Sequence, residues 1–397
     1  MSSRAPVGTI GGWLIMEPAE AGRNRSSFRW VSIVGARPQF VKLAPVCRAI
    51  EAHNNHGGSP QIEHYIVHTG QHYDRALSDL FFTQMEIPEP HVNLAVGSGS
   101  QGTQLARMLA RLERVLSSQH ADWVIVYGDT NSALAGALLA ARLKLPIAHV
   151  EAGCRSGDTE PEEQNRIVAD HLSQLLLAPS RNAIENLRRE GIGLENDPHR
   201  RRTAMVGDVM YDALFQNAQL AKECAEENLH SLGLKSKEYY LLTIHRAENT
   251  ANADRLCGIL EAVGKLDYPV LFPVHPRTKR VLDAARVSLN GKLRPVPPLG
   301  YLEMLAMEGH ARKILTDSGG VQKEAFYLGV PCVTLRDRTE WPETVTLGAN
   351  RIAGITPQSI HDAVAAEQKN DWLVSRPYGD GNSSARIVCE FLAATAA

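Results

Sequence analysis

The stretch Trp123–Arg166 places the tightest constraint on how this chain can fold. It reads WVIVYGDTNSALAGALLAARLKLPIAHVEAGCRSGDTEPEEQNR. Two apolar runs, Trp123–Tyr127 and Ile147–Val150, each end in an acid: Asp129 after a glycine, Glu151 before Ala-Gly. The Ala- and Leu-rich run Ser132–Leu143 between them has helix length. Strand, helix and strand at this spacing make a βαβ unit with parallel strands. A right-handed crossover sets the two strands side by side or nearly so, and neighbouring strands lie ~4.8 Å apart. Both carboxylates then stand at the carboxyl ends of parallel strands, where open α/β sheets bind ligands. The plain structural alternative is that Asp129 caps the next helix and Glu151 makes a surface ion pair. Two acids at one edge, followed by Glu162, Glu163 and Arg166, favour an active site.

The rest of the chain repeats this alternation. Phe28–Val34 reads as the first strand and runs into Gly35-Ala-Arg-Pro-Gln-Phe-Val-Lys42. A helix N-terminus after a strand is an anion site, and Arg37 and Lys42 add positive charge to it. Glu63–Val67 and Leu175–Ala178 read as strands, and Leu77–Met85, Leu105–Leu116 and Arg181–Glu190 as helices. His64, His68 and His72 recur every fourth residue. The segment around Tyr65–Val67 reads as strand and Gly70 breaks a helix, so no metal site is expected there. The charged, irregular stretch 191–202 marks a domain boundary.

In the second half, apolar strands at Tyr239–Ile244, Val270–Val274, Lys313–Thr316 and Val330–Leu335 end in His245-Arg, His275-Pro-Arg, Asp317-Ser-Gly-Gly320 and Arg336-Asp-Arg. Ser318, Gly319 and Gly320 open a helix whose positive end suits a phosphate. Glu324, one turn in, would repel phosphate and suits ribose hydroxyls instead. The fold class is therefore α/β: two doubly wound, Rossmann-like domains, 29–200 and 201–376, with strand ends facing a common cleft. Residues 1–28, dominated by Gly, Ser, Arg and Pro, read as a disordered extension.

Composition excludes several classes. The chain has 397 residues, enough for two domains, and a net charge of −2 gives no field to recruit nucleic acid or anionic membrane. Six scattered cysteines without Cys-x-x-Cys suit reduced thiols of a cytoplasmic protein. No apolar run reaches the ~20 residues that span a bilayer. Neither half carries Gly-x-Gly-x-x-Gly or a Walker lysine, which argues against a dehydrogenase or a P-loop ATPase.

Together these residues resemble the non-hydrolysing UDP-N-acetylglucosamine 2-epimerase family, of GT-B architecture. The resemblance runs from Val31 to about Phe391. It rests on Gly35-Ala-Arg-Pro38, Tyr127-Gly-Asp-Thr130, His149-Val-Glu-Ala-Gly153, Pro161-Glu-Glu-Gln-Asn-Arg166, Thr243-Ile-His-Arg246, Pro273-Val-His-Pro276, Thr316-Asp-Ser-Gly-Gly-Val-Gln322, Thr339-Glu-Trp-Pro-Glu343 and Pro377-Tyr-Gly-Asp-Gly381. It implies interconversion of UDP-N-acetylglucosamine and UDP-N-acetylmannosamine by anti elimination of UDP to 2-acetamidoglucal, followed by re-addition. The family's catalytic residues fall on Asp129, Glu151, Glu162, Arg166 and His245. Its UDP-binding residues fall on Arg37, Lys42, His245, Ser318, Gly319, Gly320 and Glu324. The resemblance also implies no cofactor, no metal, a homodimer, and a C-terminal helix within 377–397 returning to the first domain.

Two departures stand out. Trp341 occupies the place of the family's arginine in Thr-Glu-Arg-Pro-Glu. Asp74 replaces the second glutamine of the Gln-x-x-Gln pattern that begins at Gln71. With Thr-Glu-Trp, the motifs Gly35–Phe40, His68–Asp74 and His245–Thr250 resemble a sister group acting on UDP-2,3-diacetamido-2,3-dideoxyglucuronate. That substrate and a hydrolysing 2-epimerase are rivals within the family. A GT-B glycosyltransferase is the rival outside it, though it would hardly need three such carboxylates.

Overall fold

The computed structural model describes residues 26–71, 82–287, 289–368 and 371–396. The helix expected at Leu77–Met85 and the residues His72 and Asp74 fall largely or wholly outside these, as do the first 25 residues.

Seven parallel strands form the first sheet: β1 (Ser27–Val34), β2 (Gln61–His68), β3 (Val92–Asn93), β4 (Trp123–Tyr127), β5 (Ile147–Val150), β6 (Leu175–Ala178) and β7 (Arg202–Met205). Their spatial order is β3-β2-β1-β4-β5-β6-β7. Six parallel strands form the second: β8 (Tyr240–Thr243), β9 (Val270–Pro273), β10 (Leu293–Val296), β11 (Lys313–Thr316), β12 (Cys332–Thr334) and β13 (Asn350–Ile352). Their order is β10-β9-β8-β11-β12-β13. Each sheet thus reverses its winding once, between β1 and β4 and between β8 and β11. Such reversals open the crevices where α/β sheets bind ligands.

The central unit forms as its pattern dictates. Every residue of β4 and β5 is buried, so both strands are continuous apolar runs, as helices on both faces require. Val126 pairs with His149 and Tyr127 with Val150, making β4 and β5 direct neighbours. The helix Asn131–Arg142 between them is capped by Thr130, whose hydroxyl accepts from the Ala133 amide. Asp129 is therefore not the cap. On β1 the helix Arg37–Asn55 starts at a proline turn. Its Gln39 accepts from the Gly35 amide at 2.8 Å and donates to the Tyr127 carbonyl at 3.0 Å, fastening the loops after β1 and β4 together.

The first sheet runs past the boundary drawn at residue 200. Arg202–Met205 pairs with Leu175–Ala178, so the sheet ends at Met205. The polar edge strands β3, β7, β10 and β13 carry too little apolar signal to be read beforehand. The C-terminal helix Ser383–Ala396 packs against the first sheet. Phe391 stacks on Trp30 at 4.5 Å and meets Trp123 edge-on at 5.5 Å. The Asp212 carboxylate receives the Ser383 and Ser384 amides at that helix's start, fixing its entry angle.

Candidate active site

The residues singled out in the sequence converge where the two sheets' switch points face each other. Asp129 follows β4, and its Oδ2 lies 2.6 Å from Arg166 Nη2 on the helix Pro161–Leu172. Burial pushes the Asp129 carboxyl up. The cationic Arg166, Lys42 and Arg246 outweigh it and hold the group well below the usual carboxylate range. Asp129 is thus an ionised carboxylate. Asn165 steadies the same loop by donating to the Asp129 carbonyl at 2.9 Å.

Arg166 does not pair with Glu162 four residues back, as the helical spacing suggests. It takes Glu163, at 2.7 Å, three residues back. Glu162 instead reaches across the cleft to Arg246 at 3.4 Å and stays 38% exposed. It is the least engaged of the three expected carboxylates.

Glu151 is the most engaged. It adopts φ +72°, a left-handed conformation costly for a residue with a Cβ. Its carboxylate is 8% exposed and carries two ammonium groups, Lys42 Nζ at 2.6 Å on Oε1 and Lys323 Nζ at 2.7 Å on Oε2. It is a buried ion cluster and not a surface pair. Gly128 beneath it holds φ +60°, the left-handed region that favours glycine, and a Cβ there would stand 2.7 Å from Lys42 Nζ and 3.1 Å from Glu151 Oε1. Lys42, expected at an anion site, is here turned to Glu151.

On the second unit, His245 follows β8 and Asp317 follows β11, so they meet across that sheet's switch point. The buried Asp317 carboxylate accepts from the His245 and Arg246 amides at about 3.0 Å and from Asn249 at 3.1 Å. Its Oδ1 lies 3.4 Å from His245 Nδ1. Burial raises its pKa despite these donors. Ser318 caps the helix Gly319–Tyr327 through its hydroxyl. Gly319 lies against Glu340, and a Cβ at Gly319 would collide with Glu340 Oε1. Glu324 is buried with Glu308 nearby; burial chiefly pushes Glu324 up to about 7 and Glu308 well above its ordinary value. Arg37 crosses between the units and donates to the Leu299 carbonyl at 3.2 Å.

Several residues here were not recognised beforehand. Glu340 is the hub of an arginine cluster, 3.0 Å from Arg336, 3.3 Å from Arg246 and 3.8 Å from Arg166. Those cations hold it ionised against its burial. Lys323 joins Glu151 to Asp208 and lies 4.0 Å over the Trp341 ring. Both residues sit in or beside motifs the sequence displayed, but Arg246 and Arg166 lie 94 and 174 residues from Glu340, and Asp208 and Glu151 lie 115 and 172 from Lys323. Among the described residues, no group of three or more His, Cys, Asp or Glu is disposed to hold a metal ion. No described helix is long and apolar enough to cross a membrane.

A helix N-terminus with glycines at one switch point can hold a diphosphate. Facing it are three carboxylates, Asp129 and Glu151 at strand ends and Glu162 in the first turn of the helix Pro161–Leu172. Fold and site together define a GT-B-type nucleotide-sugar enzyme. Within that class the chain belongs to the UDP-N-acetylglucosamine 2-epimerase family, whose model matches residues 55–392. A Methanococcus maripaludis UDP-N-acetylglucosamine 2-epimerase homolog is 46% identical over 90% of this chain and 98% of its own length. A Pseudomonas aeruginosa UDP-2,3-diacetamido-2,3-dideoxy-D-glucuronate 2-epimerase is 42% identical over 91% and 99%. The crystal structure of Methanocaldococcus jannaschii UDP-GlcNAc 2-epimerase in complex with UDP-GlcNAc and UDP has a TM-score of 0.84 at 42% identity, covering 92% of this chain and all of that one.

Proposed function

We propose that this chain interconverts UDP-N-acetylglucosamine and UDP-N-acetylmannosamine without hydrolysis. The observation that carries the reading is the apposition of Asp129, Glu151 and Glu162 on the first unit to His245 and the Ser318–Gly320 turn on the second. UDP lies on the second unit, its diphosphate on the Ser318–Gly320 amides with His245 and Arg37 alongside, and its ribose hydroxyls on Glu324. The sugar then faces the carboxylates. One of them takes the proton from carbon 2. The anomeric C–O bond breaks with its electrons going to UDP, and carbons 1 and 2 become doubly bonded in 2-acetamidoglucal. Return of a proton to the opposite face of carbon 2 and of UDP to carbon 1 gives the epimer. Inversion of this kind needs proton acceptors and donors on both faces and cations near the departing diphosphate. Glu162, paired with Arg246 at 3.4 Å and 38% exposed, is the most accessible of the three carboxylates to a bound sugar. No cofactor enters this scheme. A homodimer working in the cytoplasm accompanies the reading on family resemblance.

The deciding experiment is proton NMR of the purified protein with UDP-N-acetylglucosamine in deuterated water. A UDP-N-acetylmannosamine signal with deuterium at carbon 2 and no free sugar is expected. Free N-acetylmannosamine with UDP would replace this reading by hydrolysis. Silence, with turnover of UDP-2,3-diacetamido-2,3-dideoxyglucuronate, would move the substrate to the sister group's.

A further inference from the structure

Lys323 links the two units from inside the site. It lies four residues after Gly319 in the helix Gly319–Tyr327, hence on the same helical face as the glycine turn at that helix's start. An ammonium has three protons to donate, and each has a destination here. One goes to Glu151 Oε2 on the first unit, at 2.7 Å. One goes to Asp208 Oδ2, also at 2.7 Å. The third side faces the Trp341 ring, 4.0 Å from its centroid. Asp208 is fixed in turn by the Tyr327 hydroxyl at 2.6 Å and the Met210 amide at 2.9 Å. Lys323 and Asp208 are each 1% exposed.

Stability alone does not account for this cluster. A buried ion pair loses much of its attraction to desolvation, and apolar residues of similar volume do as well or better. The cluster does secure one thing that packing cannot. Glu151 holds a left-handed φ at the end of β5, and its two oxygens are pinned by lysines from opposite sides of the cleft. Lys42 belongs to the first unit and stays with Glu151 however the units move. Lys323 belongs to the helix Gly319–Tyr327 of the second unit, so its bond to Glu151 joins the two units.

We propose that Lys323 is a positioning residue that couples nucleotide occupancy at the Ser318–Gly320 turn to the alignment of Glu151 across the cleft. The inference rests on the epimerase reading above and adds to it a residue through which the two units act together.

The test uses the full chain with Lys323→Met, which keeps bulk over Trp341, and Lys323→Arg, which keeps the charge and protects against misfolding. For both, kcat for epimerisation falls by about 100-fold or more, a loss much larger than the change in KM or in the calorimetric Kd for UDP, which shifts only by the coupling itself. A variant whose kcat per folded molecule is unchanged overturns the inference, even if its Tm falls. A second readout needs no turnover. Spin labels at the exposed Glu113 and Lys279 report the separation of the units. UDP narrows the wild-type distance distribution, and in Lys323→Met that narrowing is lost. Equal narrowing in wild type and variant overturns the coupling. Wild-type protein inactive on UDP-N-acetylglucosamine would refute the epimerase reading, and the label distances would then decide the coupling alone.

Discussion

Arg166 Nη2 lies 2.6 Å from Asp129 Oδ2, although 37 residues separate the two in sequence. The same guanidinium holds Glu163 at 2.7 Å and approaches Glu340 of the second unit at 3.8 Å. One arginine therefore aligns a carboxylate of the first unit and meets the anion hub of the second. A planar guanidinium presents five donors in fixed directions, so it orients each partner as well as neutralising it.

Asp129→Asn keeps the shape and the Asn165 contact but removes the charge facing Arg166. Epimerisation is expected to fall by about 10³-fold, within the range that positioned acid–base groups contribute. UDP affinity should stay within about threefold, because the Ser318–Gly320 turn, His245 and Glu324, proposed to hold most of the nucleotide, lie on the other unit. Carbon-2 deuterium exchange and UDP calorimetry on the same preparation measure both. Since the cations around Asp129 keep its pKa well below the usual range, its own protonation does not produce an acid limb in the wild-type rate profile.

The glycines at the nucleotide turn should behave differently. A Cβ on Gly319 would drive into Glu340 Oε1, whereas a Cβ on Gly320 would meet only Met210 Cε at 3.5 Å and Ser318 Oγ at 3.8 Å. Gly319→Ala is expected to cost about 2–4 kcal/mol of stability, because it pushes a buried carboxylate away from its arginines. Gly320→Ala should leave stability within about 0.5 kcal/mol. Both should weaken UDP, Gly320→Ala because its methyl stands where a phosphate approaches the backbone. Urea denaturation and calorimetry separate the two effects, and a Gly320→Ala that binds UDP normally would remove that glycine from the site.

Trp341 and Lys323 form a matched pair. Placing at 341 the arginine that the resemblance implies, Trp341→Arg, would replace an electron-rich ring 4.0 Å from a buried ammonium with a second cation. Repulsion and lost cation–π attraction should cost about 2–4 kcal/mol, while Trp341→Phe should cost about 1 kcal/mol. Denaturant midpoints of the two variants check this. Equal stability of Trp341→Arg and wild type would show that Lys323 can swing away from the ring.

The sequence exposed what local chemistry encodes. The apolar runs of β4 and β5, the acids that end them, the Ser318–Gly320 turn and the Pro161 helix start all lie where their patterns placed them. Arg202–Met205 could not be seen as strand because an edge strand needs little apolar surface. The ion clusters around Glu151 and Glu340 escaped for another reason. Lys323 stands one position from Glu324 in a stretch read as a phosphate turn, and nothing local indicates that it reaches Glu151, 172 residues earlier. Trp341 was visible as a departure, but its physical meaning depends on Lys323 lying above it.

Glu324 offers a test of how far binding and stability are opposed. Burial is the main reason its carboxyl is raised from 4.5 to about 7, with the nearby Asp208 adding to it and Lys323 and Arg37 opposing. A group whose folded pKa exceeds its unfolded value contributes stability that is fully present below the unfolded pKa. That contribution disappears as pH rises through the folded pKa. Between pH 4.5 and 8 the wild type should therefore lose up to about 3 kcal/mol through this group. Glu324→Gln has no such titration, so the stability difference, variant minus wild type, should grow by that order between pH 5 and pH 8. The same substitution should weaken UDP by about tenfold or more, because an amide offers ribose hydroxyls a poorer acceptor than a carboxylate does. If UDP selects the ionised form, binding to wild type near pH 6 releases a proton, visible as a buffer-dependent calorimetric enthalpy that Glu324→Gln lacks. A pH-independent stability difference would show that Glu324 is already ionised in the free protein, leaving Glu308 alone to carry the proton.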